Sequence, residues 1–249
     1  MTRETGVDSV RGSHHRVVNH FFHDFHGEIS TIIMCIGAVR DGIGGEISPP
    51  QRETLERAID NCEQMVRLIN NYRDRTQMEE GTYPRVPEEV DLSEAMRQLA
   101  VATQPFARER NVKLEIRGDG LPKVRFRAAL LGRVLENLLL QVIENTPARA
   151  GVEVQARIAE RKLEVRVRFE GEELDEEQAP SVFDPVRQAT LGLRLGRGYT
   201  LLFCKEAISY LGGDIRITPW KGRGNELVAR VAFEEQGGNE TAEATDATR

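Results

Sequence analysis

The sequence predicts an α+β fold in which a helical hairpin is followed by a mixed two-layer domain. Over residues 16–41 the apolar side chains recur at steps of three and four, which is typical of a helix with one buried face. A second stretch, at about 51–78, has the same spacing. From residue 91 onward, helical patterns are mixed with stretches such as VEVQARIA and LEVRVRF, whose strict alternation indicates strands with one buried face.

Two matched apolar stripes and the link between them predict the hairpin. The first stripe consists of Phe22, Phe25, Ile29, Ile32, Ile36 and Val39, and the second of Leu55, Ile59, Cys62, Val66 and Ile69. The glycines and prolines of DGIGGEISPP end the first helix and turn the chain back. Two helices alone bury such stripes poorly, so we expect a second copy to complete a dimeric four-helix bundle. The alternative is that the stripes pack against the second domain of the same chain.

The pattern divides the chain into five segments. They are a flexible N-terminus at 1–15, the hairpin at 16–80, a proline-bearing linker at 81–90, an α/β two-layer sandwich at 91–234 and a disordered tail at 235–249. In the sandwich we expect one helix that Asp91 or Ser93 caps, a second over 127–145, and a third over GYTLLFCKEAISYLGG. VKLEIRG, DIRITPW and NELVARVAF are the remaining predicted strands.

Composition excludes several classes of function. Of the 249 residues, 39% are hydrophobic and 30% charged, and the net charge of −6 leaves no basic face for nucleic acid or an anionic membrane. The first residues lack the apolar run of a signal peptide, and TIIMCIGAV is far short of the ~20 residues that span a bilayer. Three scattered cysteines indicate core thiols in a reducing cytoplasm. We therefore expect any signal to reach the protein through a partner.

Four motifs, in this order along residues 16–233, resemble the sensor histidine kinase core of bacterial two-component signalling. HDFHGEIS resembles the family's H-(E/D)-L-R-T-P-L, and RVLENLLLQVIENTP resembles its N-L-L-x-N-A-x-K-x-T helix. VFDP resembles the F box, and GYTLLFCKEAISYLGG resembles G-L-G-L-A-I-V-K-x-x-V-E-x-x-G-G. The resemblance implies a hairpin with a phosphoacceptor histidine, His23, followed by its acid, Asp24. It also implies an ATPase-type sandwich and a response-regulator receiver domain as partner.

The residues around His23 agree with that assignment. With Phe22 at heptad position a, His23 and His20 face solvent and His26 lies beside the stripe. Only His23 is followed directly by an acid, and a carboxylate there can hold one ring nitrogen while the other attacks phosphorus. A solvated surface histidine is the plain alternative. A metal site is disfavoured because steps of three drift around a helix, so at most two of these histidines converge on one ion.

The resemblance places a nucleotide site at Asn137, Gln141, Gly171, Gly196 and Gly198, and the departures from the family concentrate there. Gln141 stands where the family has its magnesium-binding asparagine, and Glu144 stands where lysine is frequent. Phe169 replaces the aspartate that recognises adenine. Two family glycines are replaced, by Glu173 and by Thr200, and the stretch RQATLGLRLGRG is short for an ATP lid. Gly27 replaces the threonine or asparagine of kinases that also act as phosphatases.

These observations predict a dimeric phosphotransfer protein of the protein-histidine kinase type. We expect phosphate to pass between His23 and a receiver aspartate without ATP-dependent autophosphorylation, with phosphate supplied through an upstream sensor or kinase. No metal site and no cofactor are expected, and ATP with magnesium would bind only if the divergent site still functions. The alternatives are an active ATP-dependent sensor kinase and a non-catalytic docking or scaffold protein.

Overall fold

The computed structural model describes residues 4–84, 86–176, 178–187 and 198–233, with the side chains at 4–19, 23 and 128 left out. The chain forms two compact units, Met1–Tyr83 and Pro84–Arg249. The first is helical and the second mixes helices with strands, so the α+β prediction is confirmed. The predicted tail, 235–249, and most of the predicted lid lie outside the described residues.

Helices α1 (Glu4–Arg40) and α2 (Pro49–Glu79) form the first unit. Helix α1 begins at Glu4, twelve residues before the start that the stripe predicted, because the apolar pattern marks only the part of a helix that packs. Positive φ angles at Gly42, Gly44 and Gly45 turn the chain in the link, a region that glycine enters without a Cβ penalty. At the start of α2, the backbone N–H of Ser48 donates to the side-chain oxygen of Gln51 at 2.8 Å.

The second unit is built on a five-stranded sheet with the order β2-β4-β5-β7-β6. Its strands are β2 (Lys113–Arg117), β4 (Gly151–Ala159), β5 (Lys162–Glu170), β6 (Asp214–Trp220) and β7 (Gly224–Ala232). The pair β2–β4 is parallel and the other pairs are antiparallel. Strand β5 is therefore central, with partners along both of its edges.

A small ribbon of β1 (Glu88–Asp91) and β3 (Lys123–Phe126) stands beside the main sheet. The sequence pattern placed β1 in the linker and did not predict β3. Both strands have four residues, too few for alternation to stand out, and their stability depends on pairing between segments more than thirty residues apart.

The sandwich includes the α-helices α3 (Leu92–Glu109), α4 (Ala128–Asn145) and α5 (Gly198–Tyr210), together with a short 3-10 helix, Ala179–Phe183. Asp91, one of the two predicted caps, accepts the backbone N–H of Glu94 and begins α3. Buried side chains of α4, α5 and β5 form the core, among them Leu130, Leu138, Val165, Phe203 and Ile208.

The cysteines only partly follow the prediction of core thiols. Cys204 is fully buried on α5, and burial raises the pKa of its thiol. Cys35 is exposed on α1 and Cys62 is half-buried on α2, so the prediction is wrong for Cys35. Cys35 is not one of the stripe residues on α1, so the apolar spacing itself did not place it in the core.

The face of the sheet opposite the helices carries a row of alternating charges. Arg157, Glu164, Arg230 and Asp214 lie opposite one another on four neighbouring strands. The Glu164 carboxylate is 3% exposed and accepts hydrogen bonds from Arg157 at 2.8 Å, Arg230 at 2.7 Å and Arg166 at 3.1 Å. Burial raises the pKa of Glu164, but these three hydrogen bonds outweigh burial and hold it at about 2.

We predict that Glu164→Gln lowers the free energy of unfolding by about 2–3 kcal/mol at pH 7, below the cost for a fully buried pair because the arginines stay partly exposed. Since the pKa is lowered from 4.5 to about 2, the contribution of the carboxylate is complete above pH 4.5 and is lost as the pH falls through about 2. Urea denaturation of both proteins should therefore show their difference shrinking in that window.

The matched control is Glu115→Gln, which removes an exposed pair with Arg117 at 2.7 Å. It should change stability little at any pH because solvent screens that pair. Equal losses for the two variants would contradict the assigned role of Glu164.

Candidate functional site

The turn of α1 at residues 20–26 carries the predicted acceptor. The backbone of His23 is helical, and its side chain lies outside the described ones. Asp24 and His26 are exposed. The carboxylate Oδ2 of Asp24 lies 3.7 Å from Nε2 of His20, one turn earlier. Within the described residues, no group of three histidine, cysteine or acidic side chains is arranged to hold a metal ion.

The predicted stripe of α1 is divided between two surfaces. Phe22 and Ile29, one heptad apart, are buried, and the ring of Phe22 lies 5.7 Å from that of Tyr72 on α2. Phe25, Ile32 and Val39, also a heptad apart, are 43%, 47% and 46% exposed. One half of the stripe thus closes the hairpin, and the other half forms an apolar row on the outside of a single chain.

Two predicted nucleotide-site residues, Asn137 and Gln141, lie one turn apart on α4 and are buried. The Asn137 side chain donates to the carbonyl oxygen of Arg133 at 2.9 Å. The Gln141 amide nitrogen donates to the exposed carboxylate of Glu144 at 2.8 Å. A negative charge therefore lies beside the side chain that replaces the family's asparagine.

Phe169, near the end of β5, belongs to the buried face that also carries Leu163, Val165 and Val167. At 2% exposed, its ring packs in the core and presents almost no surface to a ligand. Gly224, opposite the end of β5, approaches so closely that a Cβ there would collide with the Phe169 carbonyl oxygen. This end of β5 is closed by the protein itself.

Asn225 is a buried polar residue that the sequence pattern did not single out. Its side-chain oxygen accepts the backbone N–H of Leu174 at 2.9 Å, and its amide nitrogen donates to the carbonyl oxygen of Glu172 at 2.8 Å. Glu173, at a family glycine position, accepts the backbone N–H of Gly222. The loop after β5 is thus tied to β7 and its preceding turn. In the sequence, the available signal for this role was an asparagine at the start of a strand. Its hydrogen-bond partners lie more than fifty residues away along the chain, so local patterns do not indicate them.

The structure describes two of the three glycines predicted for the nucleotide site, Gly171 and Gly198. Gly171 follows β5 with φ of 152°, and a Cβ on it would lie 3.6 Å from Pro147, so this loop lies against the chain just after α4. Gly198 is the first residue of α5, and Thr200 two residues later is buried. Gly196 lies outside the described residues.

The F-box motif forms the end of the 3-10 helix and the turn after it. Phe183 is buried, and the carboxylate of Asp184 accepts the backbone N–H groups of Val186 and Arg187 at 2.9 and 3.1 Å. This arrangement caps the next turn of chain.

Within the described residues, no helix is long and apolar enough to cross a membrane.

Residues 127–235 match the family model described as histidine kinase-, DNA gyrase B-, and HSP90-like ATPase. Among curated proteins, the chain is 23% identical over 204 residues to the alginate biosynthesis sensor protein KinB of Pseudomonas aeruginosa. It is 25% identical over 191 residues to the sensor protein KdpD of Clostridium acetobutylicum. These matches cover 81% and 74% of this chain but 34% and 21% of the relatives, so the chain spans about a third or less of their length.

Solved structures share the fold at lower identity. Full-length ShkA in complex with AMPPNP matches with a TM-score of 0.67 at 17% identity, over 90% of this chain and 47% of that one. The Acinetobacter baumannii histidine kinase AdeS matches with a TM-score of 0.57 at 14% identity, over 82% of this chain and 95% of that one. Histidine kinase ThkA in complex with the response regulator protein TrrA matches with a TM-score of 0.54 at 22% identity, over 91% of this chain and 63% of that one.

Proposed function

We propose that the chain, which fits a histidine kinase core with an ATPase-like domain, acts in two-component signalling as a phosphotransfer protein through His23. The observation that carries the proposal is the exposed carboxylate of Asp24 directly after His23 on α1. An acceptor must be reached by another protein, and the side chains of Asp24 and His20 in this turn of α1 are exposed.

The step would be a transfer from an aspartyl phosphate of a receiver domain. One ring nitrogen of His23 attacks phosphorus, the new N–P bond forms as the acyl P–O bond breaks, and the receiver carboxylate leaves with the electron pair. The ring gains positive charge as the bond forms. Asp24 stabilises that charge by holding the proton on the other ring nitrogen, and the reverse step runs through the same groups.

A response-regulator receiver domain is the proposed partner. The ThkA structure contains a histidine kinase of this fold together with the response regulator protein TrrA, which supports a partner of that class here. Phosphate would enter the pathway through an upstream sensor or kinase. A cytoplasmic setting agrees with three cysteines that form no disulfide.

We predict that His23→Ala abolishes acid-labile label transferred from a phosphorylated receiver domain, because no other side chain takes the acceptor role. Asp24→Asn should slow transfer and leave receiver binding unchanged, since it alters the proton-holding group and not the shape of the surface. Transfer would be followed by gel autoradiography and binding by calorimetry. His26→Ala is the matched control. Label on the His23→Ala protein would disprove the assignment.

The proposed lack of autophosphorylation rests on the end of β5. In the family an aspartate there recognises the adenine amine, whereas Phe169 is an apolar ring packed in the core. Losing a hydrogen bond to a charged acceptor costs about 1.5–3 kcal/mol. That equals roughly 10- to 150-fold in affinity. The carboxylate of Glu144 beside Gln141 adds repulsion towards a triphosphate.

Glu170 directly follows Phe169, and Glu172 comes two residues after Glu170. These are the acids that could replace the missing aspartate. The carboxylate of Glu170 is already engaged, because it accepts the backbone N–H of Gly151 at 2.8 Å. Glu172 is exposed, and its backbone carbonyl is held by Asn225. Neither geometry favours an adenine contact. The rival function, an active ATP-dependent kinase, draws support from the retained fold and from AMPPNP in the ShkA structure.

We predict that calorimetry with ATP and magnesium detects weak binding or none, and that incubation with labelled ATP leaves His23 unlabelled. A dissociation constant in the tens of micromolar or tighter would overturn this proposal and favour the kinase. In that case Glu172→Ala, with Glu170→Ala as its matched partner, would identify whether a neighbouring acid recognises adenine.

The exposed row of Phe25, Ile32 and Val39 supports a homodimer. Three large apolar side chains on one helix face remain uncovered in the single chain, and a second copy would bury them in a four-helix bundle. Packing of this row within one chain is the alternative.

We predict that Ile32→Glu converts the dimer to a folded monomer, because the charge enters the row outside the hairpin. Ile29→Glu should unfold the hairpin instead, since Ile29 is buried between the helices. Met34→Glu is the control, being 67% exposed and off the row, and should remain dimeric. Light scattering gives the mass and circular dichroism the helix content. A monomeric wild-type protein would contradict the dimer.

A further inference from the structure

His20 is a described side chain that lies close to Asp24. Its Nε2 lies 3.7 Å from Oδ2 of Asp24, with the two residues one helical turn apart. Both side chains are well exposed, at 79% and 60%. At this distance the contact is an ion pair when the imidazole is protonated, and a weak contact when it is neutral. The sequence pattern treated His20 as a bystander of the acceptor.

Other charged groups near this turn have partners of their own. On α2, beside Tyr72, Arg73 pairs with Asp74 at 3.3 Å, and Arg75 pairs with Glu79 at 2.9 Å. These are the ionisable groups that α2 carries in the turns on either side of the Phe22 contact. On α1, Arg16 precedes His20 by one turn, and its side chain lies outside the described ones.

His26 provides an internal comparison. It is exposed on the same helix, two residues after Asp24, and therefore points away from that carboxylate. Its backbone carbonyl oxygen accepts the Ser30 hydroxyl at 2.7 Å, and its ring makes no ion pair with a described side chain. A histidine at this position shares the exposure of His20 but not its contact.

We propose that His20 is a positioning residue for the acceptor site, acting through Asp24. Protonated His20 draws the Asp24 carboxylate towards itself and makes it a weaker partner for the ring of His23. Neutral His20 adds no such attraction. This inference rests on the proposed phosphotransfer through His23 and adds a residue that sets its rate.

The physical reason lies in the proton of the acceptor ring. As the N–P bond forms, the other ring nitrogen of His23 becomes more acidic, and Asp24 holds or accepts its proton. A cation beside Asp24 competes with the acceptor ring for that carboxylate and therefore slows the step. Exposed ion pairs contribute about 0.2–1 kcal/mol, so the effect on rate should be roughly 1.5- to 5-fold.

Two variants separate charge from shape. His20→Lys keeps a cation at every pH, and His20→Gln stays neutral at every pH. We expect His20→Lys to transfer phosphate more slowly than His20→Gln, because its cation attracts the Asp24 carboxylate. His26→Lys and His26→Gln repeat the charge changes away from Asp24 and should give equal rates.

A double-mutant cycle tests whether the effect passes through Asp24. In the Asp24→Asn background, the rates of His20→Lys and His20→Gln should coincide, because no carboxylate remains for the cation to attract. Rates come from rapid-quench transfer of label from the same phosphorylated receiver domain, with circular dichroism confirming that each variant is folded.

The outcomes for this inference and for the proposed function are distinct. If His23→Ala accepts label, the proposed function fails whatever His20 does. If His23→Ala takes no label, but His20→Lys and His20→Gln transfer phosphate equally fast, only the role of His20 is disproved. A difference that persists in the Asp24→Asn background also overturns it, because the cation would then act without Asp24.

Discussion

The central position of β5 is the constraint on which the sandwich depends. A strand paired along both edges cannot slip its register without moving every side chain to the opposite face. Leu163, Val165, Val167 and Phe169 therefore all enter the core, while Glu164 lies on the opposite face, in the row of alternating charges. The same alternation that builds the core turns the aromatic ring of Phe169 inward.

A polar nucleotide pocket and a closed core place opposite demands on the same backbone. In this chain the end of β5 is closed by packing at Phe169, by the close approach of Gly224, and by the two hydrogen bonds of Asn225. Each of these contacts stabilises the sandwich without a ligand. The fold of an ATPase-like domain is thus maintained by interactions that do not depend on ATP.

The faces of α1 differ in their surroundings. One side of α1 is buried against α2 through Phe22 and Ile29, a second carries the apolar row that includes Ile32, and a third carries Asp24 and His20. With 3.6 residues per turn, a single helix can present all three faces within two turns. Substitutions on this one helix can therefore alter the three surfaces separately.

Local periodicity, read from the sequence alone, determined the helices of the hairpin, the strands β4 and β5, and the inward direction of Phe169. Those features repeat within a few residues, so the order of side chains along the chain is sufficient. The sequence also gives the prediction that His23, next to Asp24, is the phosphoacceptor. The tertiary structure decided the features that depend on contacts between segments far apart in the chain, and it decided where each helix begins and ends. It paired β1 with β3, buried Glu164 among three arginines, and joined Asn225 to the loop after β5. It also divided the α1 stripe into a buried and an exposed half, because heptad spacing defines a face but not which partner covers it.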